Sequence, residues 1–163
     1  MHKYSKEGKP VKLSIVSLRA ASWPKDIWVP VADEPYGTLG SFINCEIGFS
    51  ATECQRLVEM AMNTMQTGEP YTEGGNIHMI HVTSQWVCIA NLAYDEDEES
   101  QSIVISIEAF ISALLFWKTR CSRWTRSNPP PEDSRVFVFE DPRPFPDLSP
   151  VEAMQECQKI TGE

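Results

Sequence analysis

Two segments of the chain carry apolar residues at helical spacing directly after a serine. The first predicted helix begins at Ser50, which forms a capping box with Glu53, and it ends at Gly68. Its apolar positions recur every three or four residues, at Cys54, Leu57, Val58, Ala61 and Met65. The second begins at Ser106, and its apolar stripe comprises Phe110, Leu114, Trp117 and Cys121. A third, short helix is predicted after Ser149, where proline and glutamate follow the capping serine.

Alternation of apolar and polar residues predicts the strands. They cover residues 11–18, 40–49, 76–83, 85–94 and 135–140. Ile27–Ala32 contains Pro30, which has no N–H for a ladder, so this segment is at best an edge strand. Residues 102–105 form either a short strand or the entry to the second helix. This order favours an α+β fold, with a largely antiparallel β-sheet, two main helices packed on it and a short C-terminal helix.

The proline content suggests how the chain is organised. Residues 127–133 contain three consecutive prolines and predict an extended linker. We therefore expect a main body over residues 1–126. Residues 127–163 are expected to form a proline-rich appendage, with its short helix packed on that body.

Charge is distributed unevenly along the chain. The 163 residues include 14 Lys and Arg against 23 Asp and Glu, for a net charge of −9. Residues 41–117 contain eleven acidic residues and one basic residue, Arg56. Such a chain is a poor candidate for gripping nucleic-acid phosphates or an anionic membrane by bulk charge. No segment has the continuous apolar length of a signal peptide or a membrane span, which favours a cytoplasmic protein.

The densest acidic segment is Asp95–Glu99, here called the acidic loop, which reads Asp95, Glu96, Asp97, Glu98 and Glu99. One interpretation is a solvated loop that maintains solubility. The other is a surface that captures a basic partner, since five adjacent carboxylates repel one another and their presence suggests a compensating gain. In the second interpretation Glu69 and Glu73 are further partner contacts.

Motifs for catalysis and for metal binding are absent from the sequence. It contains no GxSxG, HExxH, Walker A or GxGxxG pattern, so we expect no enzyme activity. His78 and His81 lie three apart in a predicted strand and point to opposite faces, which excludes a chelating pair on that strand. The five cysteines form no CxxC pair and are expected to be buried free thiols. No cofactor or metal is predicted.

Residues 40–120 resemble small immunity proteins of bacterial toxin–immunity systems, such as contact-dependent growth inhibition, Rhs and type VI effector systems. The resemblance rests on a strand, a Ser-x-Glu step at Ser106 and Glu108, and a helix ending in Leu-x-x-Trp at Leu114 and Trp117. It implies a non-enzymatic cytoplasmic protein that binds and neutralises one cognate toxin, often a basic nuclease domain. Such a protein contacts neither nucleic acid nor membrane directly, and its oligomeric state stays open.

Two alternatives stay open, of which the first is also a binding protein and the second belongs to a different class of function. One is a phage-type acidic inhibitor of a host nucleic-acid-binding defence protein. The other is a small enzyme without a standard motif, which would require a concave pocket with convergent polar groups.

Overall fold

The computed structural model describes residues 7–19, 21–22, 24–92, 102–144 and 155. Within these residues the chain forms two antiparallel sheets and three α-helices, which confirms the α+β class. The strands are β1 (Lys9–Leu18), β2 (Ile27–Ala32), β3 (Tyr71–Gly74), β4 (His78–Val82), β5 (Trp86–Asn91), β6 (Ser102–Ser106) and β7 (Val136–Asp141). The helices are α1 (Gly37–Phe42), which continues as a π-helical segment (Ile43–Ile47), α2 (Ala51–Thr67) and α3 (Ile107–Cys121).

The strands are divided between two sheets. The three-stranded sheet has the order β2-β1-β7, and the four-stranded sheet has the order β3-β4-β5-β6. β2 is an edge strand, as its proline predicted, and the 102–105 segment is a true strand. β3 was not predicted, because its four residues are too few to show a period. The division of the chain at residue 126 stays a prediction, although β7 pairs with β1 in the same sheet.

The capping serines fix the starts of the two long helices, as predicted. The Ser50 hydroxyl accepts from the Glu53 amide at 3.0 Å, and the Ser106 hydroxyl accepts from the Ala109 amide at 3.2 Å. Gly68 ends α2 in the left-handed conformation, with φ of 75°. The predicted C-terminal helix after Ser149 lies outside the described residues.

The strand predicted over residues 40–49 is wrong, because this segment is helical. In α1 and the π-helical segment the buried residues recur at helical spacing, at Thr38, Leu39, Gly40, Phe42, Ile43 and Ile47. A Cβ atom on Gly40 would lie 2.8 Å from the Ala32 amide nitrogen, so glycine lets α1 cover the edge of β2. Tertiary packing therefore overrides the local alternation. One consequence is that Cys45 is exposed, contrary to the buried thiol expected there, whereas Cys54 and Cys88 are buried.

The core lies where α2 and α3 pack against each other and against the sheets. Trp117 on α3 is fully buried, as predicted, and Trp86 is only half-buried. The Trp117 indole N–H donates to the Gly48 carbonyl at 2.6 Å, and its ring contacts that of Phe49. This side chain therefore fixes the turn that leads from the π-helical segment into α2.

A buried carboxylate connects the two sheets. Asp141, at the end of β7, accepts from the Tyr36 hydroxyl at 2.8 Å and from the Ser106 amide at 3.1 Å. Burial, together with the hydrogen bond to Asp141, raises the pKa of Tyr36 well above its ordinary range. The phenol therefore stays protonated and remains a donor, which ties the three-stranded sheet to the start of α3.

Candidate functional site

The nearest described residues on either side of the acidic loop, Leu92 and Ser102, lie at one end of the four-stranded sheet. Asp95–Glu99 itself lies outside the described residues. Before it, the Leu92 amide donates to the Ile77 carbonyl at 2.6 Å; after it, Ser102 pairs with Ala90. These two flanking residues therefore lie at the end of the sheet that holds the β3–β4 turn.

Glu73 lies near that same end, but it is already engaged. Its carboxylate accepts from two Arg56 nitrogens at 2.6 and 2.8 Å and from the Tyr71 hydroxyl. The hydrogen bonds from Arg56 lower the pKa of Glu73 below its ordinary value. Two strand spacings, roughly 10 Å, separate β3 from β5, the strand that precedes the acidic loop in the sequence.

Glu69 is placed at the other end of β3. It precedes the strand, is exposed, and its backbone N–H donates to the Thr67 hydroxyl at 3.1 Å. The four residues from Glu69 to Glu73 correspond to roughly 13 Å along an extended chain. The structure therefore brings Glu73, but not Glu69, to the loop end of the sheet.

Arg56 is paired with two carboxylates. Its guanidinium also binds Glu53 one turn earlier in α2, with nitrogen–oxygen distances of 2.7 and 2.8 Å. Because Arg56 is the only basic residue between positions 41 and 117, no unpaired positive charge remains in that segment. The Glu53–Arg56–Glu73 cluster keeps a net negative charge.

Glu46 forms a second polar centre close to the β3–β4 turn. Its carboxylate accepts from the backbone amides of Asn76, Ile77 and His78 at 2.6, 3.0 and 3.1 Å. It also binds His78 Nδ1 at 2.8 Å. Burial raises the pKa of Glu46, but the hydrogen bonds from His78 and the amides outweigh it, so its pKa lies below the ordinary value. We refer to Glu46, His78, Ser41 and these amides as the Glu46 network.

Ser41 completes the network on the other side of the imidazole. His78 Nε2 lies 3.1 Å from the Ser41 hydroxyl oxygen. Since a carboxylate only accepts, Nδ1 donates to Glu46, and in the tautomer with its single proton on Nδ1 the Nε2 atom accepts from Ser41. Ser41, His78 and Glu46 are thus connected in the same order as the nucleophile, the general base and the orienting acid of a catalytic triad. However, His78 is fully buried and Ser41 lies within α1, so the arrangement also serves to attach α1 and the π-helical segment to β4.

Two concave regions of the described surface lie elsewhere, on α2 and α3. The larger, about 660 Å³, is lined in part by Lys118, Arg120, Arg123 and Trp124. The smaller, about 390 Å³, includes Arg56, Glu59 and Lys118. Neither is lined by Ser41 or His78.

Within the described part of the chain, no group of three or more His, Cys, Asp or Glu side chains could hold a metal ion. His78 and His81 contact different residues. The His78 ring contacts Glu46 and Ser41, whereas the His81 ring contacts Thr72 on β3. None of the helices in the described ranges is both long and apolar enough to cross a bilayer.

Similarity to known proteins does not assign the site. Comparison with models of protein families, with curated proteins and with solved structures gives no match.

Sequence reasoning singled out the acidic loop and named His78 only to exclude a chelating pair with His81, and it missed Glu46, Ser41 and Arg56 as interacting residues. Glu46 lies in the segment, residues 40–49, for which the sequence predicted a strand. Its partners lie 30 to 32 positions away, and those of Arg56 lie up to 17 away. The sequence offered one indication of these interactions: Arg56 is the single basic residue in an acidic segment, so pairing with carboxylates could have been expected.

Proposed function

We propose that this chain is a cytoplasmic immunity protein, which binds and neutralises a cognate bacterial toxin by occluding its active or substrate-binding site. The observation that carries the proposal is the charge of the central segment. Eleven acids oppose one base there, and five of the acids follow one another in the sequence between Leu92 and Ser102, which lie at one end of the four-stranded sheet. A basic nuclease domain is the partner that this charge suits best.

The physical basis is electrostatic complementarity. A nuclease presents a positive surface where it binds phosphates, and clustered carboxylates compete for that surface while accelerating encounter. Pairing of Arg56 with Glu53 and Glu73 supports the proposal, because no unpaired cation in this segment opposes a positive partner.

In this proposal the expected partner contacts have different roles. Asp95–Glu99 makes the first contact, and Glu73 lies at the same end of the sheet but is neutralised in part by Arg56. Contact with Glu69 would require the partner to extend along the β3 edge. We therefore assign most of the electrostatic attraction to the loop.

Replacing the five loop acids with Ser or Asn tests this assignment. We expect association with the toxin to slow by roughly tenfold at low salt, and its dependence on salt to flatten, because steering charges act mainly on the association rate. The measurement is the association rate against ionic strength, using the partner recovered from the source cell.

A charge control separates the loop from net charge. Glu34, Glu132 and Asp133 are exposed carboxylates elsewhere on the chain, and their neutral variants E34Q, E132Q and D133N should change the rate much less per charge removed. An equal effect per charge, or an unchanged salt slope in the loop variant, would exclude the loop from the interface.

Two alternatives are distinguishable from this proposal. A phage-type inhibitor of a host defence protein would use the same acidic surface, and its gene would lie among phage genes rather than beside a toxin gene. The enzyme alternative has one supporting observation, the Ser41–His78–Glu46 order. Covalent labelling of Ser41 by a fluorophosphonate probe would favour the enzyme.

A further inference from the structure

The larger of the two concave regions, at the C-terminal end of α3, is basic although the chain is acidic. Three of the residues that line it are Lys118, Arg120 and Arg123. All of its lining residues belong to the described part of the chain, and none of them is Asp or Glu. The whole chain, by contrast, has 23 acidic residues against 14 basic ones. We call this region the basic cavity.

The three cations of the basic cavity form no ion pair within the described residues. The Arg120 Nε donates to the Ser134 carbonyl at 2.9 Å, and the Lys118 ammonium donates to the side-chain oxygen of Gln55. Arg123 is exposed, and its guanidinium has no partner among the described residues. Burial lowers the pKa of Arg120 below its ordinary value. The cavity therefore holds positive charge that no carboxylate compensates.

Capping of α3 does not account for these side chains. The Lys118 carbonyl accepts from the Ser122 amide at 3.3 Å, and the Arg120 carbonyl accepts from the amides of Arg123 and Trp124 at 3.1 and 2.9 Å. The last carbonyls of the helix are thus already satisfied by backbone donors. The helix dipole favours cations in the last turn, but Arg123 lies beyond the final residue of α3.

The basic cavity also offers apolar and aromatic surface. Trp124, which is half-buried, and Leu115, which is 45% exposed, both line it. An indole face stacks well on a planar aromatic base, and a guanidinium matches a phosphate with two parallel N–H donors. A volume of about 660 Å³ lies in the range of cavities that bind small molecules.

We propose that the basic cavity binds a nucleotide, with its phosphate at Arg123 and Lys118 and its base against Trp124. Arg120, which Ser134 holds in place, adds fixed positive charge to the same wall. A free nucleotide suits the site better than a nucleic acid does, because the acidic remainder of the chain repels a long polyanion. This proposal does not depend on the immunity function, since it involves no toxin and none of the loop acids.

Calorimetric titration of the full chain with AMP tests the proposal. We expect binding of one AMP per chain, weakened by salt. R123Q should weaken binding by roughly tenfold, because it removes a charged donor to the phosphate. The matched control is R126Q, which removes the same charge from an exposed arginine that binds Asn44 and does not line the cavity. This control should bind AMP like wild type.

Ribose 5-phosphate separates the base from the phosphate, because it differs from AMP only in lacking the base. We expect wild type to bind AMP at least tenfold more tightly than ribose 5-phosphate, since only AMP can stack on Trp124. W124L should reduce this preference, and circular dichroism checks that the variant is folded. The comparison on wild type requires no variant.

Three results would overturn the proposal. Absence of AMP binding at millimolar concentration would exclude a nucleotide site. An equal loss of affinity in R123Q and R126Q would show that net charge, rather than the basic cavity, attracts the anion. Equal affinity of wild type for AMP, ribose 5-phosphate and inorganic phosphate would show that the chain binds any phosphate and has no site for a base.

Discussion

Replacing Trp117 with alanine is expected to destabilise the fold by about 4 kcal/mol, because a fully buried indole leaves a large cavity. The variant also loses the hydrogen bond to the Gly48 carbonyl and the contact with Phe49. Urea unfolding followed by far-ultraviolet circular dichroism measures the change without depending on tryptophan fluorescence. A domain of ordinary stability would keep only a fraction of its folding free energy.

Two further variants separate the causes. W117F keeps an aromatic ring but lacks the N–H donor, so we expect a loss of about 1 kcal/mol for the missing hydrogen bond, beyond a small packing change. L115A removes a side chain that is 45% exposed on the same helix, and it should change stability by less than about 0.5 kcal/mol. If W117A cost no more than L115A, the assignment of the core between α2 and α3 would be wrong.

Replacing Glu46 with alanine is expected to cost about 3 kcal/mol, because three backbone amides and His78 lose a charged acceptor at once. The matched control is E59A, on the exposed side of α2, where the carboxylate accepts only from Gln55 in the described structure. This control should stay within about 0.5 kcal/mol of wild type. Equal stability of the two variants would show that Glu46 does not tie the π-helical segment to the β3–β4 turn.

The pH dependence gives an independent check on Glu46. Its folded pKa lies below the ordinary value of 4.5, so the carboxylate stabilises the fold above that value. This contribution is lost as the pH falls through the folded pKa. The difference in unfolding free energy between wild type and E46Q should therefore be largest near neutral pH and should shrink in acid. A difference that grew on acidification would contradict the assigned hydrogen bonds.

Local signals explain which parts of the fold were predictable. Ser50, Ser106 and Gly68 act within a few residues of themselves, and the helix ends that they predicted are confirmed. Residues 37–47 are helical because of distant contacts, above all the approach of Gly40 to β2, which no local pattern contains. Alternation at Ile43, Cys45 and Ile47 therefore predicted a strand wrongly.

The same distinction applies to the candidate site. Composition alone identified the acidic loop as the densest charge of the chain. The relation of Glu69 and Glu73 to the loop depends on sheet order, because β3 lies two strands away from β5. The pairing of Glu73 with Arg56 and the Glu46 network likewise join residues that are remote in sequence, so neither follows from the sequence alone.

Affinity capture from a lysate of the source cell tests the inhibitor proposal most directly. The immobilised chain, and beside it the variant with a neutral acidic loop, is washed at low and at moderate salt, and the retained proteins are identified by mass spectrometry. We expect the wild-type chain to retain one basic protein with toxin activity, to lose part of it at moderate salt, and to retain more than the variant does. Retention of no specific protein at either salt concentration, or equal retention by the neutral-loop variant, would contradict the proposal.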